Sequence, residues 1–127
     1  MNQLQKNVIE NLGYETLEPE CMEDLQNINN HGAAGGYGMF CYYHDTVKFY
    51  DDNREDIKAL LVELADCMDI GMIELVKGFN CLNDNYSYDE IAEVIYNPAS
   101  DTDSTTEVKN ALTWFALEET AQQLVGE

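Results

Sequence analysis

The residue types best suited to covalent or metal chemistry fall between His31 and Asp45. Cys41 and His44 have C-x-x-H spacing, Asp45 follows, and His31 stands upstream. On a helix that spacing could bring thiol and imidazole within hydrogen-bond reach, as a cysteine nucleophile requires. No neighbouring residues mark an oxyanion hole or a leaving-group pocket, so the dyad lacks the rest of its machinery. A zinc site would need four soft ligands, and Cys41, His44 and His31 would have to recruit Cys21, Cys67 or Cys81 from a distance. None of the four cysteines forms a C-x-x-C pair, so they read as reduced thiols, with Cys67 packed beside an apolar helix face. Asp101 to Glu107 alternates oxygen ligands without the glycine and frame of a calcium loop, and Asn83-Asp84-Asn85 fails for the same reason. The glycine-rich run Gly32 to Gly38 has no following G-K-[ST], which excludes a phosphate loop. The sequence therefore predicts no catalytic residue, no metal and no cofactor. It reads as a binding protein rather than an enzyme.

The residues that remain conspicuous are carboxylates. Asp and Glu number 25 against 6 Lys and Arg in 127 residues, a formal net charge of −19. Such a chain repels nucleic-acid backbones and anionic lipid, so direct nucleic-acid binding and membrane-surface binding are excluded and basic partners favoured. Around residues 53 to 68 the charge becomes local. At 100° per residue, Asp52, Glu55, Asp56, Glu63 and Asp66 share an arc of about 100°, opposite an apolar stripe. With Asp51 they form an acidic ridge. Between Asp52 and Asp66 it covers roughly 21 Å, the length over which a DNA strand presents about six phosphates. A ridge of that density can occupy a basic, nucleic-acid-binding channel, gaining steering and counterion release without a base. Arg54 and Lys58 alone offset it, and a second acidic site is Asp101 with Asp103.

These side chains must be held by helices. The 45% apolar and 10% aromatic content is enough to bury a core, and the expected architecture is all-α: one domain over 1–127, a compact bundle of about five to seven helices. Leu4, Val8, Ile9 and Leu12 face one way before Gly13, which suits a left-handed C-terminal cap. A second helix spans 19–30, with Met22, Leu25 and Ile28 inward. His31 to Gly38 reads as a loop, and over 37–44 a short hairpin is the alternative to helix. Asp45 caps a short helix, and Asp51-Asp52-Asn53 opens the central one. Its stripe is Ile57, Leu60, Leu61, Leu64, Ala65 and Met68. Residues 72–79 are helical. Ser87 with Glu90, and Ser104 with Glu107, have capping-box spacing, and Asn97-Pro98 ends the helix between them. The last helix has two apolar stripes. Val108, Ala111, Leu112 and Phe115 form one, and Trp114, Leu117, Ala121 and Leu124 form the other in heptad-like spacing, a candidate interface for a homodimer unless the chain itself covers it.

The N-terminus has no apolar run of signal-peptide type, and no apolar stretch approaches the roughly 20 residues a membrane span needs, so a cytoplasmic location is expected. The stretch Gly35-Gly36-Tyr37-Gly38, the core Tyr42-Tyr43-His44-Asp45-Thr46-Val47-Lys48-Phe49-Tyr50 and Gly78-Phe79-Asn80 ahead of a capped helix resemble a family of small uncharacterised phage and prophage proteins, over residues 31 to 120. That resemblance transfers no catalytic residue. In composition the chain is also similar to anti-CRISPR and anti-restriction inhibitor proteins. The two likenesses imply a phage-type inhibitor, acting in the host cytoplasm on a basic nucleic-acid-binding protein or ribonucleoprotein such as a CRISPR effector or restriction enzyme. The alternative is a self-associating structural or regulatory phage protein whose acidity serves solubility; a small metal or thiol enzyme ranks below both.

Overall fold

The structure, a computed structural model, describes residues 2–31, 43–78, 87–97 and 103–126. The chain is all-α, with six helices and no strand among the described residues: α1 (Gln3–Asn11), α2 (Pro19–His31), α3 (Tyr43–Met68), α4 (Met72–Lys77), α5 (Tyr88–Tyr96) and α6 (Asp103–Val125). They group into two compact units, residues 1–42 with 114–127 and residues 43–113, so α6 gives its first half to one and its second half to the other.

In the first unit α1 starts with a capping box. Asn2 Oδ1 accepts from the Gln5 amide at 2.8 Å, and Gln5 Oε1 accepts from the Asn2 amide at 3.0 Å, reciprocally satisfying two of the helix's orphan donors. It ends at Gly13, whose φ of +98° lets the Tyr14 and Gly13 amides reach the carbonyls of Ile9 and Glu10 at 3.1 and 3.0 Å, the Schellman arrangement. Leu4, Val8 and Ile9 are buried, as are Cys21, Leu25 and Ile28 of α2. Cys21 rather than Met22 completes the α2 stripe, and α2 continues one residue past the expected stop to include His31. Tyr14 Oη donates to Asp24 Oδ2 at 2.8 Å, and Gln5 Nε2 of α1 donates to Gln123 Oε1 of α6 at 3.0 Å.

In the second unit α3 consists of two helical segments joined end to end across Asn53, where two helices are expected, and the first of them starts at Tyr43. The N-cap assigned to Asp45 is thereby corrected, because the helix already begins at Tyr43. The expected junction survives as a kink. Asn53 leaves helical geometry at φ −119°, ψ 16°, and its buried side-chain amide donates to the Phe49 carbonyl at 2.9 Å, replacing part of the interrupted backbone ladder. Beyond the kink Ile57, Leu61 and Ala65 are buried, whereas Met68 at the last turn is 54% exposed and leaves the predicted stripe. Asp69 closes α3 in the left-handed region at φ 57°, with the Ile70 and Asp69 amides on the carbonyls of Ala65 and Asp66. The α5 capping box is present as expected: Ser87 Oγ accepts from the Glu90 amide, and Glu90 Oε1 from that of Ser87, both at 3.2 Å. Asn97 takes extended backbone at φ −117°, ψ 96°, as a residue preceding proline must. For α6, Asp103 is already helical, so Ser104 lies inside the first turn and not at the cap. Of the alternative hairpin, Tyr43 and His44 are helical, and 37–42 lie outside the described residues.

The helix α6 is buried around most of its circumference. Val108, Ala111, Leu112, Phe115, Ala116, Leu117, Ala121 and Leu124 are buried, and so are Lys109, Asn110, Thr113 and Thr120. Among its described residues exposure is confined to a narrow strip through Glu107, Glu118 and Gln122, so both sequence stripes are buried, with Trp114 the half-buried member.

Candidate functional site

The six carboxylates of the predicted ridge are all exposed, but the structure divides them into two groups. Asp51 and Asp52 precede the kink at Asn53, so they do not continue the line of the others. Asp51 Oδ1 lies 2.7 Å from Lys109 Nζ, whose side chain is only 9% exposed. This carboxylate neutralises a nearly buried ammonium and ties α3 to α6 within the second unit. Lys109 also stands over the Tyr50 ring, 6.0 Å from its centroid. Asp52 Oδ2 meets Lys48 Nζ at 2.7 Å across one exposed helical turn; the pair holds the ammonium protonated to higher pH than usual, through the hydrogen bond first and the charge second.

Past the kink, Glu55 Oε1 accepts from Arg54 Nη1 at 3.3 Å. The same guanidinium is anchored at its other end, where Nη2 donates to the Ile95 carbonyl at 2.6 Å and so caps the last turn of α5. Asp56, Glu63 and Asp66 have no ion pair among the described residues. The remaining cation on this face, Lys58, turns aside: its Nζ lies 4.8 Å from the centroid of the Tyr96 ring on α5, a cation–π contact. Between Glu55 and Asp66 the face is about 17 Å long. It carries a solvent-open depression lined, among the described residues, by Glu55, Lys58, Ala59, Val62, Glu63 and Asp66. Three carboxylates therefore surround a small apolar strip, in which Val62 is 42% exposed. Ala59 and Val62 lie inside the acidic arc and were visible there at 100° per residue, but counting carboxylates passes over them.

A second acidic surface is also missed by ridge counting. Glu18, Glu20 and Glu23, beside and on α2, are exposed, and the sequence between Lys6 and Lys48 contains no Lys or Arg. That basic-free stretch is the signal that could have found it. Its field is felt at the buried Cys21, whose thiol is pushed up by burial first and then by Asp24 and Glu18.

The other sequence candidates place as follows. Leu117, Ala121 and Leu124 are buried within the chain, and Trp114 is half-buried. Cys21 is a free buried thiol, and Cys67, expected against the apolar face, is a free exposed one; Cys41 and Cys81 lie outside the described residues. No cluster of three or more His, Cys, Asp or Glu among the described residues could hold a metal. No described helix is long and apolar enough to cross a membrane. Asp101 lies outside the described residues, and Asp103 opens α6.

The chain belongs to the family described as a domain of unknown function, DUF7222, which matches residues 1–127. No curated protein and no solved structure matches it.

Proposed function

We propose that this protein is a non-enzymatic inhibitor that occupies the Lys/Arg-lined, nucleic-acid-binding surface of another protein, using the acidic face of α3 beyond its kink as a phosphate mimic. One observation carries the reading: Asp56, Glu63 and Asp66 are exposed on one helix and, among the described residues, have no ion-pair partner, although the chain's cations cluster nearby. Lys48, Arg54, Lys58 and Lys109 are each engaged elsewhere, which leaves these carboxylates free for an external cation. A partner of the CRISPR-effector or restriction-enzyme class, met in the cytoplasm of a phage host, fits this chemistry because its channel is built to hold phosphates.

The test is binding to purified effectors of both classes at low and at moderate salt. The affinity should fall steeply as salt rises. Reversal of Glu55, Asp56, Glu63 and Asp66 to Lys should abolish binding while the melting temperature holds or rises. Binding that ignores salt, or that survives the four reversals, would remove the face from the proposal.

A further inference from the structure

We infer that the depression on α3 takes a basic amphipathic helix from the partner protein, seating an aliphatic side chain on Ala59 and Val62 while flanking Arg or Lys side chains meet Glu55, Glu63 and Asp66. This inference rests on the proposed function and adds the chemistry of the contact. A pure phosphate mimic needs only a row of charges, whereas here the middle of the row is apolar. Val62, at 42% exposure, lies in the same depression as Ala59 and the three carboxylates. Lys58, the one cation among the described lining residues, is drawn over Tyr96 at 4.8 Å, so its alkyl stem adds apolar wall and its charge is turned towards the ring.

Charge complementarity selects the occupant. An acidic rim rejects nucleic acid and acidic peptides, and an apolar floor adds nothing for a purely polar polycation. A segment with apolar residues on one face and guanidinium or ammonium groups beside them satisfies both parts. The lining residues recur at i, i+3, i+4, i+7, i+8 and i+11 over about 17 Å, three turns of α3. Three turns of a second helix laid along it match that length, the helix-on-face mode of peptide recognition.

Two arginine-rich helical peptides of equal charge test this, one with a leucine stripe and one with alanine in its place, which preserves helicity. Titrated into the full chain at low salt, the leucine peptide should bind about tenfold tighter. Val62→Gln, an exposed substitution on a helix, should keep the circular dichroism spectrum and the binding of the alanine peptide while reducing the leucine preference to twofold or less. Equal affinity for both peptides overturns the inference and leaves the acidic-face reading standing. A tenfold preference that survives Val62→Gln overturns the location. If neither peptide binds, the inference and the proposed function fall together.

Discussion

Tyr50 is 1% exposed, and burial pushes its phenol up to about 12, outweighing the Arg54 guanidinium that pulls it down. In the unfolded chain the same phenol titrates near 10. As the pH rises the unfolded state therefore loses this proton first, so Tyr50 lowers stability progressively from about pH 10 and levels off above about 12, by roughly 2–3 kcal/mol in all. Urea midpoints at about pH 9 and pH 11.5 should fall further for the wild type than for Tyr50→Phe, and equal falls would show that Tyr50 is not the group responsible. A different residue-scale strain sits at the end of α3, where Asp69 holds φ 57°. Glycine has no Cβ to clash there, so Asp69→Gly should raise unfolding stability by about 1 kcal/mol. Gly13→Ala, at φ +98°, should lower it by a similar amount. Denaturant midpoints for the two variants should move in opposite directions. The sequence announced the Gly13 cap because glycine is the residue that left-handed backbone prefers; nothing at Asp69-Ile70-Gly71 said which of the three would take the positive φ.

At the scale of helices, what could be read from the residues depended on whether each side chain's role was local. The capping box Ser87-x-x-Glu90 acts within one turn and is found as expected. The break before Ile57 was also readable, but its form was not, because the kink depends on Asn53 reaching the Phe49 carbonyl rather than on a new N-terminus. Asp51 is the clearest non-local case. From sequence it belongs with the ridge; in the fold it answers Lys109, 58 positions away in the chain. Asp51→Asn would leave a nearly buried ammonium without its counter-charge and should cost about 2 kcal/mol. Adding Lys109→Met should recover much of that loss, since the methionine needs no counter-charge. A double-mutant cycle read by thermal and denaturant unfolding measures this coupling, and additive losses would show that the two charges do not depend on each other. The same logic separates the ridge into a structural part before the kink and a face after it on which Glu55 meets Arg54 while Asp56, Glu63 and Asp66 have no ion pair among the described residues, a division the 100° periodicity cannot express.

For the whole molecule the decisive quantity is the formal charge of −19, with its cations unevenly spread. Every Lys and Arg except Lys6 lies in the unit 43–113, and several of them neutralise carboxylates there. The Glu18 to Asp24 stretch has no basic residue near it in sequence, and in the second half of α6 Glu119 is half-buried next to Glu118. Its carboxyl is pushed up by burial first and by Glu118 second. A carboxyl raised in the folded state takes up its proton before the unfolded one as pH falls, so stability should increase as the solution is acidified through that range. Glu119→Gln should melt higher at neutral pH and lose that increment. Salt probes the same repulsion without changing protonation. Raising sodium chloride from about 0.01 M to about 0.1 M shortens the screening length from about 30 Å to about 10 Å. Repulsion between exposed carboxylates on successive turns and neighbouring helices then weakens, while pairs such as Lys48–Asp52 lose less because they are in contact at 2.7 Å. The melting temperature should therefore rise with salt over the range in which binding to a basic partner falls. These opposite slopes separate self-repulsion from recognition: a melting temperature that drops with salt would mean that the surface ion pairs outweigh the net charge, and the same carboxylates could not then be both unneutralised in the free protein and available to a partner.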